Sequence, residues 1–321
     1  MRVAVESGRA RRIVARIGGQ TVTLRGEREI ILCAGAFNTP KLLMHSGIGP
    51  ADDLLQIGID PIADLPVGEN LQDHIAATNM FERIGEPSSM HGAMRLDRIG
   101  LSMIRAYLFG SGVGTVVPGG LHAFIKTESG LEVPDIEFMF RGIPLDADFW
   151  IPGLRPAYRD GFGIRPCLLH PQSNGQVRLR SADPRDPPRI AFNIFREPHD
   201  LERLRAGYKI ASDPVRQPAM DRFRGTEVQP TTALQTDQDI DAYIRQTAAT
   251  ANHPFGTCKM GTGEDAVVDP ELRVRGIDGL RVVDASVMPD MVSAHINAAV
   301  LMLAERAADL IRGRVPLSTI P

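Results

Sequence analysis

The 321-residue sequence is poor in cysteine, in long apolar runs and in excess charge of either sign. Its three cysteines, Cys33, Cys167 and Cys258, lie far apart with no Cys-x-x-Cys pair, which argues against a disulfide framework and against a cysteine zinc site, and fits a reducing compartment. The longest late apolar run, "AAVLML", is much too short to span a bilayer, and the first residues, "MRVAVESGRARR", carry charge from position 2 with no apolar h-region. A soluble, cytoplasmic protein without a transmembrane segment is expected. Thirty-six basic residues against 39 acidic ones give a net charge of -3. No basic block interleaved with aromatics marks a nucleic-acid surface, so no nucleic-acid partner is expected. With 43% hydrophobic residues the chain can fill the core of one large domain or two ordinary ones.

The two ends read alike and the middle differs. "RVAVES", "RIVARIGGQTVTLRG" and "REIILCAGA" read as strands, the second broken by a Gly-Gly turn. The continuous run Ile30–Ala34 predicts a strand buried on both faces, as in α/β sheets. "NTPKLLMHSG" then predicts a short helix, with Asn38 or Thr39 as its cap, Pro40 in its first position and Gly47 at its end. Pro50 and Gly58 bracket another. In the middle, "DIEFMF" and "GQVRLRS" alternate like half-exposed antiparallel strands, the latter entered through Asn174-Gly175. "SADPRDPPRI" reads as a rigid loop. "DLERLRAGYKIA" and "TDQDIDAYIRQTA" have helical spacing, with Thr236 and Asp239 placed as a capping box. The glycine cluster "GSGVGTVVPGG" at 110–120 follows no buried strand and reads as a loop. The end returns to a buried strand, "GLRVVDASVMP", and a helix, "NAAVLMLAERAADLIRG", capped by Asn297 and closed by Gly313.

This pattern predicts an α/β (α+β overall) architecture: one α/β domain over 1–75 and 246–321, and a second domain inserted over 76–245 and built on an antiparallel sheet. At the residue level several readings stay open. A helix start at Asn297 and Ala298 can face an electron-rich group through its free N–H groups and dipole, or be a plain capped surface helix. Asp284 stands at a strand's carboxyl end, where α/β folds place ligand-binding groups, or is a turn aspartate. His253, before a proline in "ANHPFGTCKMG", lies where the chain returns from the middle to the α/β domain, and small-molecule sites favour domain boundaries. His295, His74 and Asn70 read as loop residues. No spacing among His253, His295 and Asp284 matches a metal-ligand pattern, so no metal is expected.

Taken together, "GAFNTPKLLMHSGIGP", "PVGENLQDH", "LLHPQSNGQVRLRSADPRDPP", "ANHPFGTCKMG", "VVDPELRVRGIDGLRVVDASVMP" and "INAAVLMLAERAADLI" resemble, in order and over nearly the whole chain, the glucose-methanol-choline (GMC) family of FAD-dependent oxidoreductases, in its choline or alcohol dehydrogenase branch. The resemblance implies FAD as cofactor and a small-molecule alcohol as substrate, oxidised to an aldehyde or ketone by hydride transfer to flavin N5. It assigns the proton-accepting role to His253 and a second catalytic role to Asn297. It places Ala34, Gly35, Asp284, Ala285, Asn297 and Ala298 beside the cofactor. Two departures stand out. The family's Gly-x-Gly-x-x-Gly turn is missing, so the resemblance implies an incomplete FAD-binding domain over 1–75 and 246–321 with a substrate domain over 76–245, complemented by an FAD-binding βαβ segment from another chain or from upstream sequence, or else a non-catalytic remnant that binds no FAD alone. Ala299 stands where many relatives have proline.

Overall fold

The structure, a computed structural model, describes residues 1–115, 120–144 and 146–314. In chain order it runs β1 (Arg2–Glu6), β2 (Arg9–Ile17), β3 (Gln20–Arg25), β4 (Ile30–Leu32), α1 (Gly35–His45) and α2 (Ala51–Gln56). There follow β5 (Ile75–Ala76), β6 (Met80–Arg83), α3 (Ser89–Ala93), α4 (Leu96–Phe109), β7 (His122–Ile125), β8 (Ile136–Arg141) and β9 (Gly161–Leu168). After β10 (Gln176–Arg178) and β11 (Arg189–Ala191) come α5 (Pro198–Arg216), β12 (Arg224–Gln229), α6 (Asp237–Thr247), β13 (Ala249–Thr250), β14 (Leu280–Val282) and α7 (Ile296–Arg312). Two compact units result: 1–74 with 170–196 and 252–321, and 75–169 with 197–251. The stretch 170–196, expected in the inserted domain, belongs with the chain ends. There Gly175 pairs with Leu71 through N–H···O bonds in both directions, and β10 and β11 form their own antiparallel pair.

In the first unit β1, β2 and β3 form an antiparallel meander, turned at Gly18-Gly19, and β4 and β14 form a parallel pair in register Ile30↔Leu280 to Leu32↔Val282. Leu32, Leu43, Met44, Val267, Leu280 and Val282 are among the side chains of its core, each 4% exposed or less. β4 differs from the expected two-sided burial: Ile30 and Leu32 are buried, but Ile31 is 39% exposed and Cys33 is also exposed. Successive strand side chains point to opposite faces, and the face that carries Ile31 and Cys33 is left uncovered by the described residues. Among the described residues β14 is also the one strand bonded to β4, so its other edge is open.

Helix α1 also starts earlier than the sequence suggests. It begins at Gly35, so Asn38 and Thr39 are not caps and Pro40 lies inside the helix. Proline lacks the N–H that would bond the carbonyl four residues back. That carbonyl, on Ala36, instead accepts a 2.7 Å hydrogen bond from the buried Thr257 hydroxyl. The internal proline is thus accommodated by a side chain from the loop that carries His253.

The second unit is built on a seven-stranded sheet in which β12, β6, β9, β5 and β13 follow one another and β7 pairs with β8, which pairs with β9, all antiparallel. Helix α5 lies on it, with Gly207 against the Ile136 side chain. β8 is more deeply buried than its alternation suggests, since Ile136, Glu137, Phe138 and Met139 are all 8% exposed or less. A strand paired on both edges and covered by α5 has little water left to face. The capping box of Thr236 and Asp239 opens α6 as expected. Of the 110–120 glycine cluster, Gly110 closes α4 in the left-handed conformation and 113–115 form a 3₁₀ turn, while 116–119 lie outside the described residues. Among the described residues no helix is long and apolar enough to cross a membrane.

Candidate active site

Two segments of the first unit zip together and carry the histidines. The 66–74 segment runs antiparallel to 253–257: Gly68 N–H donates to the Thr257 carbonyl at 2.7 Å, and Gln72 and Phe255 exchange N–H···O bonds of 3.3 and 3.1 Å. Asp73 continues the match, its Oδ1 accepting from the His253 N–H at 2.9 Å. Only glycine fits at position 256, whose φ is +87° and where a Cβ would lie 2.5 Å from the Asn70 carbonyl oxygen. On its other side the same loop is bonded to the turn after β14, by Gly256 N–H to Ala285 O, Cys258 N–H to Ser286 O and Met260 N–H to Val287 O.

The outcome is a cluster of three imidazoles. His74, fully buried, and the half-buried His253 meet Nδ1 to Nδ1 at 2.9 Å with their rings nearly perpendicular. The exposed His295 ring is tilted against that of His253, ring centroids 5.0 Å apart. Sequence reasoning singled out His253 but left His74 and His295 as loop residues. The missed signal is the pairing of "QDH" with "NHPF", which no local pattern reveals.

Asp284 joins the carboxyl ends of the two parallel strands. Its Oδ2 accepts from Gly35 N–H at 2.9 Å and from the Thr39 hydroxyl at 2.6 Å, and its Oδ1 accepts from Ser286 N–H at 2.8 Å. Thr39 Oγ1 in turn accepts from Ala34 N–H at 3.0 Å. This carboxylate holds Ala34 exposed at the strand end and leaves open space where Gly35 lacks a side chain. Burial first, and then the Asp284 carboxylate, push the neighbouring Cys33 thiol above its ordinary pKa.

Asn297 is not the cap of the last helix. Helix α7 starts at Ile296 with His295 in the cap position, no side chain caps it, and its first turn holds no acid. The exposed Asn297 and Ala298 therefore stand within a first turn whose N–H groups lack any side-chain cap. The turn 285–287 is held to α7 by a cluster of Phe255, Met288 and Met291, with Ala285, Ile296 and Ala299 packed against it. Ala299 is thus a small apolar contact of this cluster. Asp284, with both oxygens already accepting backbone or hydroxyl hydrogens, is a structural anchor within this framework.

Two sequence profiles, both described as GMC oxidoreductase, match residues 1–76 and 171–304. The chain is 39% identical over 321 residues to a protein named oxygen-dependent choline dehydrogenase from Sinorhizobium medicae, covering 99% of this chain and 57% of that protein. It is also 39% identical over 323 residues to the protein of that name from Paraburkholderia phymatum, covering 100% and 56%. Among solved structures, formate oxidase of Aspergillus oryzae RIB40 superposes with a TM-score of 0.85 at 26% identity, over 97% of this chain and 59% of that one. Pyridoxine 4-oxidase from Mesorbium loti gives 0.79 at 27%, over 98% and 57%. The chain thus spans somewhat more than half the length of the relatives it matches, and it belongs to the GMC oxidoreductase family.

Proposed function

We propose that this chain carries the proton-accepting part of an FAD-dependent alcohol oxidoreductase, acting on a choline-like alcohol and yielding the aldehyde. The observation that carries the reading is His253, held by Asp73 at its backbone and by His74 at its ring, beside the uncapped start of α7. The residues present fit the flavin end of the cofactor: small, exposed groups at Ala34, Gly35 and Ala298, and a helix start suited to an electron-rich ring edge. FAD, when bound, supplies the hydride acceptor. Ala34, Gly35, Ala285, Asn297 and Ala298 would line it, with Asp284 holding the first two in position.

His253 acts as general base. A proton shared between two Nδ1 atoms leaves one ring the donor and the other the acceptor. With His253 donating from Nδ1, its Nε2 lone pair is the acceptor for the alcohol proton. Asn297 orients the alcohol oxygen, a task that suits an amide able to donate and accept. The first unit serves the cofactor and the second the substrate.

The open edge of β4 and the exposed Leu301 and Met302 on α7, 60% and 67% exposed, suit a further parallel strand and helix. We infer that a complementing βαβ segment with a Gly-x-Gly-x-x-Gly turn supplies the pyrophosphate cradle, which this sequence lacks. The test is the visible spectrum of the chain after incubation with FAD and desalting, alone and with such a segment. Retained flavin bands that bleach anaerobically on adding choline support the reading. A colourless protein under both conditions identifies a non-catalytic remnant.

A further inference from the structure

Tyr208 lies on α5 and is 4% exposed, yet its hydroxyl oxygen is buried with no hydrogen-bond partner among the described residues. Its ring packs edge-on to that of Tyr243, centroids 5.8 Å apart. Tyr243 shows the usual arrangement, its own hydroxyl donating to the Thr78 carbonyl at 2.8 Å. A buried hydroxyl without a partner costs stability, and native proteins keep few of them. Tyr208 therefore calls for a partner supplied from outside the chain.

Beside it is a cavity of about 190 Å³, walled by α5, the end of β12, the 230–234 loop and α6. A cavity of about 150 Å³ holds benzene, so this one suits a molecule of roughly seven to nine heavy atoms. On α5, Tyr208, Ser212, Asp213 and Arg216 fall within one arc of about 140° that faces it. Pro230, Leu234 and Ile240 add an apolar wall. Arg216 Nη2 lies 3.6 Å from Glu227 Oε2, near enough for charge attraction but too long for a hydrogen bond. Glu227 is half-buried, and burial holds its carboxyl above the ordinary pKa even against the pull of Arg216. Lys209, by contrast, is paired with Asp237 at 2.5 Å.

The chemistry of these groups selects the occupant. Tyr208 Oη, Glu227 and Asp213 offer acceptors for the three N–H bonds of an ammonium, and the Arg216 guanidinium offers donors for a carboxylate. One ligand that carries both charges, with a short apolar side chain for Leu234 and Ile240, satisfies all of them. We propose that this cavity of the second unit binds a small aliphatic α-amino acid, its ammonium held by Tyr208 and Glu227 and its carboxylate by Arg216.

Isothermal titration calorimetry of the full chain with L-valine tests this, with isovalerate and isobutylamine as the analogues that lack the ammonium and the carboxylate. Saturable binding of valine, and of neither analogue over the same range, is expected. Arg216→Gln, at a side chain 58% exposed and so compatible with folding, should weaken valine binding by about tenfold or more, the scale of a lost charge-assisted hydrogen bond. Tyr208→Phe should weaken it by about tenfold. The ligand-free Tyr208→Phe chain should unfold at a temperature no lower than the wild type, having shed an unpaired buried hydroxyl. Absence of saturable valine binding overturns the proposal, as do equal binding of either analogue and an unchanged affinity in both variants. A ligand-free Tyr208→Phe chain less stable than the wild type overturns it too, since the hydroxyl would then be satisfied by water within the cavity.

Discussion

His74 Nδ1 lies 2.9 Å from His253 Nδ1, with the His74 ring fully buried. When both rings are neutral, one of the two nitrogens donates and the other accepts, so the contact couples the tautomer of each histidine to that of the other. His74 is accordingly a positioning residue. His74→Phe is expected to lower kcat for alcohol oxidation in the flavin-loaded protein by about tenfold while leaving KM nearly unchanged, and His253→Ala by about a hundredfold or more. Steady-state kinetics on the two variants separates the roles. Equal losses, or a His74 effect confined to KM, would contradict the positioning role.

The Thr257 hydroxyl serves the Ala36 carbonyl that Pro40 leaves without a helical donor. Thr257→Val should destabilise the chain by about 1 to 3 kcal/mol, the usual cost of an unsatisfied buried polar group. Adding Pro40→Ala restores an N–H to the helix, so the double variant should recover much of that loss. Denaturant unfolding of the four proteins closes the cycle, and strictly additive effects would show that the two residues are uncoupled.

Cys33 is exposed while Cys167 and Cys258 are fully buried. A thiol reagent should therefore modify one cysteine in the native chain and three after denaturation. The native reaction should be slow for an exposed thiol, since burial of its sulfur and the Asp284 carboxylate both disfavour the thiolate. Pairing of another strand on the β4 edge should protect it. Mass spectrometry after timed alkylation reads both effects.

His45 has its pKa lowered below the ordinary 6.5, mainly by burial and then by Lys41. Its Nε2 is buried with no hydrogen-bond partner among the described residues. Near pH 6.5 the unfolded chain takes up a proton that the folded chain resists, so stability falls as pH drops through that value and levels off below the folded pKa. Thermal unfolding of His45→Gln should lack this component. A variant with the wild-type pH dependence would remove His45 as its source.

How much of this was legible in the sequence follows from the range of the interactions. The meander, the helix ends at Gly47 and Gly313 and the Thr236–Asp239 capping box are local, and local residues announce them. The start of α1 was not legible, because Thr39 gives its hydroxyl to Asp284, 245 residues away, instead of capping a helix. β8 reads as alternating, yet pairing on both edges and α5 above it bury Glu137 along with its apolar neighbours. His253 drew notice through its own motif, but His74 gained meaning only when the 66–74 segment paired with 253–257 across 179 residues. The site is a product of tertiary pairing more than of any single stretch.

The central claim is that His253 accepts the proton while an alcohol reduces bound flavin. It is tested most directly by anaerobic stopped-flow bleaching of the visible flavin absorbance on mixing with choline, comparing the flavin-loaded chain with His253→Ala across pH. The account predicts a rate that falls by about a hundredfold or more in the variant and loses its dependence on an ionising base. Undiminished bleaching, with the same pH profile, would contradict it.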